Sequence, residues 1–462
     1  MKAAATLMSH WVAGVRFDDL PEDVVASTKL RILDVMGLTL AGGETPFGRA
    51  VRQASATLHP GADARLWGTP ATASMIGAAF VNGALSQALE YDDTHNESIV
   101  HMSSPAVAAA LAIADTRRAS GREVIRAIAI GNEISSRVGS VAPGQFHKRG
   151  FHPTGLFAPF GIAWLAAAML GLDPARMDHA AGITGSFAAG LLQCWVDGTQ
   201  TKFVHPGWAA QSGITAATLA SSGVTGPAEV FEGRFGLFAS HLQATDTPPH
   251  FGRLTDDLGS TWDSRDASFK PFPVAHVIHP YIDAALRLRE RHGLDPARIR
   301  RVLCPVAPYI VGIVCEPLAE KRRPNTDSHG RVSLSYTLAE TFVRGRMGKD
   351  AYAEASLRDP AILALADRID FVVDETFPGP EQFKGVVIVE MDDGTRLEEI
   401  EEHNRGSRTN PMSFDEIAGK FRENAGGVLA PGAIERLIEA ILDLDRADDA
   451  SLLSQLAVPT HA

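Results

Sequence analysis

Acidic, hydroxyl and imidazole side chains crowd one short stretch, Glu90-Tyr91-Asp92-Asp93-Thr94-His95, with Asn96, Glu97 and His101 just beyond it. Carboxylates and imidazoles at that density can move protons as a general acid and base, or ligate a metal through oxygen and nitrogen. They can also cap neighbouring helices, with side-chain oxygens on free backbone N–H groups. Residue types alone leave all three open. A second group, His147-Lys148-Arg149-Gly150-Phe151-His152-Pro153-Thr154, precedes an apolar helix for which Thr154 offers an N-cap. An imidazole there faces the positive end of the helix dipole and is held neutral, the form that accepts a proton. A histidine in a basic surface turn reads the same way.

Two lysines lie beside aromatic and turn residues: Lys202 in Thr199-Gln200-Thr201-Lys202-Phe203-Val204-His205-Pro206-Gly207, and Lys270 in Ser268-Phe269-Lys270-Pro271-Phe272-Pro273. Both suit the holding of a carboxylate in a partly dry pocket, although either alone also reads as a solvated loop cation. Of the 43 basic residues only 9 are Lys. Each lysine in an apolar setting therefore draws notice, because an ammonium changes its pKa on burial more readily than a guanidinium. Tyr336 reads as a core tyrosine and Cys194 as a small buried hydrophobe.

Helices must position most of these groups. Apolar residues recur at helical spacing over 71–89, 105–116, 122–137, 154–170, 174–185 and 209–222, and a helix begins at Pro21. Several of these segments are apolar on most faces, as expected inside a large bundle. After a Pro-, Gly- and Asp-rich stretch near 245–272 the pattern changes. Strands are predicted over 298–306, 369–373, 384–390 and 395–400, the last two forming a hairpin across Asp392-Asp393-Gly394, with helices over 282–291 and 334–344 between. The fold class is mostly α: a large all-helical domain over 1–264, a smaller α+β domain over 265–405, and C-terminal helices over 406–462 whose packing partner the pattern leaves open.

The 462 residues carry a net charge of −12, with 45% hydrophobic and 21% charged residues. That is the balance of a compact protein and disfavours nucleic-acid binding. Three cysteines without regular spacing fit a reducing, cytoplasmic setting. The first twelve residues read as a helix rather than a signal peptide. The apolar run 155–172 is broken by Pro159, Gly161 and Gly171, so it reads as a buried helix and not a membrane span. Neither a dinucleotide fingerprint, a P-loop, a G-x-S-x-G elbow nor an H-E-x-x-H motif occurs.

Taken together, the segments Ile32-Leu33-Asp34-Val35-Met36-Gly37, Ala88 to His95, Gly150 to Thr154, Thr201-Lys202 with His205-Pro206-Gly207, Glu232-Gly233, Phe269 to Pro273 with His279-Pro280, and Ser333 to Tyr336 resemble the MmgE/PrpD family. That family includes 2-methylcitrate dehydratase, cis-aconitate decarboxylase and iminodisuccinate epimerase. The resemblance implies a helical domain, an α+β lid, and a site between them without metal or organic cofactor. It places His101, His152, Lys202 and Lys270 in catalytic roles, and Glu90, Asp93, Thr94 and Tyr336 on the substrate. It implies a cofactor-independent lyase of the dehydratase type acting on a small polycarboxylate, with decarboxylase or epimerase as alternatives, and a homodimer. Outside the family, a metal-dependent hydrolase using Asp92, Asp93, His95 and His101, or a non-catalytic carboxylate-binding protein, stays open. Three departures from the family stand out: Glu90 where Asp is usual, Met102 where Pro is common, and Trp208 where a basic residue is frequent.

Overall fold

The computed structural model describes residues 2–243, 247–379 and 382–459. Helices Ala4–Gly14, Glu22–Gly43, Met75–Gln87, Ser103–Arg117, Gly121–Gly139, Pro153–Met169 and Val204–Ser221 form the larger body. Every residue of Pro153–Met169 is buried, which is why its sequence has no polar face. Among the described residues no helix is long and apolar enough to cross a membrane. Pro46–Leu58 is a helix that the apolar spacing did not announce, because most of its residues face water.

Small residues let these helices approach closely. A Cβ at Gly83 would lie 3.1 Å from the Cα of Gly207, so Met75–Gln87 and Val204–Ser221 cross backbone to backbone there. This crossing brings the end of the first helix, leading to Glu90, beside the turn Thr201–Phe203 that carries Lys202.

Two large hydrophobic clusters divide most of the interior, beside a small third one of Leu38, Ala41, Leu89 and Tyr91. The first runs from Ala5 to Phe269 and resumes at Ile417 to Ala457; the second spans Phe272 to Met391. The C-terminal helices Phe414–Ala425 and Pro431–Leu442 therefore pack on the first cluster, settling the partner that the sequence left open. Phe421 lies over Gly37, where a Cβ would meet its ring at 2.8 Å. Around the second cluster a four-stranded sheet has the order Ile369–Val373, Ile299–Val306, Gly385–Met391, Arg396–Glu401. The first pair is parallel and the others antiparallel. His279–His292 and Leu334–Arg344 cover it.

The chain passes between the clusters at Phe269-Lys270-Pro271-Phe272, with Phe269 in the first and Phe272 in the second. Just before this crossing, Ala267–Ser268 pairs antiparallel with Thr94–His95. The polar stretch that follows Glu90 is thus tied by a two-residue ladder to the segment that leads into Lys270.

Candidate active site

Glu90 ends a turn after Met75–Gln87, its N–H donating to the Gln87 carbonyl at 2.9 Å. Its φ is +54°, a left-handed conformation that costs a non-glycine residue on the order of 1 kcal/mol. That twist turns its carboxylate toward two ammonium groups. Lys202 Nζ donates to both carboxylate oxygens, at 2.6 Å to Oε2. Lys270 Nζ lies 3.7 Å from Oε1 and donates to the Glu90 carbonyl at 3.1 Å. All three side chains are buried. Burial by itself would raise the Glu90 pKa, but Lys202, Lys270 and His101 overcome it and pull the carboxyl down to about 2. For Lys270 burial wins over Glu90 and Asp92, and the ammonium becomes more acidic than usual.

Next to this pair stand neutral imidazoles. His101 Nδ1 donates to the Asp93 carbonyl at 2.8 Å and lies 3.2 Å from Thr94 Oγ1, which leaves Nε2 as the proton-accepting nitrogen. Burial, then Lys270 and Lys202, push its pKa down to about 3. His152 occupies the N-cap position of Pro153–Met169, its ring 5.6 Å from that of His101. Its Nδ1 is 2.9 Å from Nδ1 of His205, and its buried Nε2 has no hydrogen-bond partner among the described residues. Burial and the neighbouring His205 and Lys202 hold it well below its ordinary pKa. Burial is the largest of these causes.

The two aspartates divide. Asp93 accepts from the Arg31 guanidinium, the Ser103 hydroxyl and the Ser103 N–H. It does cap a helix, but one that begins ten positions later in the chain. Asp92 accepts from Ser104 Oγ at 2.9 Å and Gln87 Nε2 at 3.2 Å, and lies 3.6 Å from His101 Nδ1. Burial raises its pKa to about 6 against the pull of Lys270. His95 instead bonds Ser98. Among the described residues no three His, Cys, Asp or Glu side chains gather as a metal site.

Glu90, Thr94, His101, His152, Lys202 and Lys270 are thus brought together, with Asp93 behind them on Arg31. Two expectations need correction. Tyr336 does not join them: its hydroxyl donates to the Ala351 carbonyl at 3.0 Å inside the second cluster, its ring beside Tyr352. Thr154 does not cap its helix; its Oγ1 accepts the His101 N–H at 2.9 Å.

Several participants escaped the sequence reading. Arg31 lies inside the apolar helix Glu22–Gly43, and His205 follows Lys202 by one turn. Arg331 and Lys420 donate to backbone carbonyls flanking Glu90. For Lys420 a signal existed: it is one of the scarce lysines and sits in Ile417-Ala418-Gly419-Lys420-Phe421.

Sequence comparison places this geometry in context. The profile of the MmgE/PrpD N-terminal domain matches residues 6–250, and that of the C-terminal domain matches residues 272–446. A cis-aconitate decarboxylase-like protein of Aspergillus oryzae is 27% identical, over 97% of this chain and 96% of its own length. A cis-aconitate decarboxylase of Aspergillus terreus is 28% identical over 97% and 94%. The cis-aconitate decarboxylase of Homo sapiens is 26% identical over 99% and 95%. Two profiles matched in order across most of the sequence establish the relationship, and the chain belongs to the MmgE/PrpD family.

Proposed function

We propose that this protein is a cofactor-independent lyase that decarboxylates a small polycarboxylate of the cis-aconitate kind, in the site formed by Glu90, His101, His152, Lys202 and Lys270. One observation carries the reading: two buried ammonium groups share a single carboxylate, next to imidazoles that hold no charge. The three side chains Glu90, Lys202 and Lys270 sum to +1, so a carboxylate substrate finds a cationic, desolvated place. Full-length similarity to cis-aconitate decarboxylases supports this reaction over the dehydration that the family resemblance put first.

Decarboxylation asks little of an acid at its start. The bond between the leaving carboxylate and its CH2 carbon breaks, CO2 departs, and the electron pair spreads over the adjoining allyl–carboxylate system. Lys202 and Lys270 neutralise that developing anion, a kind of contribution whose loss typically costs about 3–4 kcal/mol per donor. One proton then closes the product at the far carbon. Lys270 is the acid best suited to give it, because burial has made its ammonium a stronger acid. Solvent then returns the proton to the Lys270 amine, and the neutral His101, whose free Nε2 can only accept, suits a hydrogen bond from that incoming water.

The test is turnover of cis-aconitate, citrate, 2-methylcitrate and iminodisuccinate by purified protein in deuterated water, followed by NMR. CO2 release with one deuterium in the product is expected, with Lys270→Met reduced at least a hundredfold and chelator without effect. Water loss from 2-methylcitrate without CO2 would return the dehydratase reading. Activity lost to chelator would return the metal reading.

A further inference from the structure

Three consecutive backbone carbonyls, those of Leu89, Glu90 and Tyr91, each accept a hydrogen bond from a different buried cation. Arg331 donates to Leu89 at 2.8 Å, Lys270 to Glu90 at 3.1 Å and Lys420 to Tyr91 at 2.8 Å. The donors come from three parts of the fold: the second cluster, the crossing between clusters, and the C-terminal helix. The outer two are themselves anchored. Arg331 also donates to the Pro273 carbonyl at 2.7 Å and stacks over Tyr352, its guanidinium carbon 4.8 Å from the ring centre. Lys420 pairs with Asp34 at 2.7 Å and lies 3.9 Å over the Tyr91 ring.

Three charged donors on a three-residue turn exceed what backbone satisfaction requires, since one neutral partner per carbonyl would do. The middle residue is the one with φ of +54°. A left-handed glutamate relaxes unless its surroundings hold it, and carbonyls fixed on both sides are such surroundings. Resting on the reading of this cluster as the active site, we infer that Arg331 and Lys420 are positioning residues. Through the Leu89 and Tyr91 carbonyls they lock the turn that points the Glu90 carboxylate between Lys202 and Lys270. Neither touches the substrate. Their donors stay on the backbone side of the turn; the Lys420 charge also bears on Lys270, an influence that the paired loss of the Asp34 charge offsets in the test below.

That dependence is measurable in the full-length protein. Lys420→Met is made together with Asp34→Asn, so that no buried carboxylate is stranded, and is combined with Glu90→Gln in a double-mutant cycle. With cis-aconitate as substrate, the Lys420 change is expected to lower kcat about tenfold in the Glu90 background and less than twofold in the Glu90→Gln background. Its loss of melting temperature is expected to be the same in both. Arg331→Lys, which keeps one donor, recovers part of the kcat lost in Arg331→Met. The carboxyl carbon of Glu90, followed by NMR in glutamate-labelled protein, is expected to titrate at higher pH in the Lys420 variant. Additive kcat losses in the cycle, or an unmoved Glu90 titration, overturn the positioning role. A shifted titration in a protein that turns over none of the acids overturns the proposed function and leaves the positioning of Glu90 standing.

Discussion

Glu90 and Asp92 stand two residues apart on one turn, both fully buried, and their carboxyls titrate in opposite directions. Glu90 is pulled down to about 2 and Asp92 pushed up to about 6. Burial acts on both in the same sense. The difference lies in what each oxygen touches: Glu90 meets two ammonium groups, whereas Asp92 meets a hydroxyl and an amide, which carry no charge. One end of the site is therefore a charge trap and the other a reservoir for a proton near neutral pH. Depth in the protein does not set the state of an acid; the identity of the atoms within about 4 Å does.

Removing Lys202 is the strongest way to break this contrast. Lys202→Met should lower kcat/KM by about 10²–10³ and destabilise the fold by about 3–5 kcal/mol, because Glu90 keeps only the more distant Lys270. Steady-state kinetics and a thermal melt check both; unchanged kinetics in a folded variant would remove the charge trap from the chemistry.

Asp92→Asn sharpens the other side. Folded Asp92 titrates near 6 and the ordinary group near 3.8, so the folded state holds the extra proton between those values. Stability from this group thus falls as pH rises through that window and stays lower above it, by about 3 kcal/mol. The variant should melt higher than the parent at pH 8 and alike near pH 3.5. Glu90 has the opposite sign: its contribution is present above 4.5 and lost as pH falls toward 2. A melt that favours Asp92→Asn equally at both pH values would contradict the assignment.

The smallest effects separate site from scaffold. Thr154→Val removes the acceptor of the His101 N–H, and Tyr336→Phe removes the hydroxyl on Ala351. Each should cost about 1 kcal/mol of stability. Only the first should also reduce kcat, by several-fold, since only it holds an imidazole of the site. A kinetic loss in Tyr336→Phe that matches that of Thr154→Val would bring Tyr336 back to the substrate.

Legibility followed range. The helices over 153–169 and 334–344 and the strand over 369–373 were readable because 3.6- and 2-residue periodicities are local. His101, His152, Lys202 and Lys270 could be picked out because acids and cations in apolar surroundings are costly and so conspicuous. Tyr336 reads as a core tyrosine from its own neighbours and lies in the second cluster; it is the family resemblance that places it on the substrate. Arg331 was invisible among many arginines, and its partner Leu89 is 242 positions away.

The sequence by itself determined the elements and the short inventory of groups able to handle a carboxylate, since both depend on neighbours along the chain. Only the tertiary structure decided which of those groups meet. It set the left-handed turn at Glu90, the two lysines on one carboxylate and the neutrality of the imidazoles, because each arises from desolvation and charge brought together by segments such as Tyr91 and Lys420, 329 positions apart.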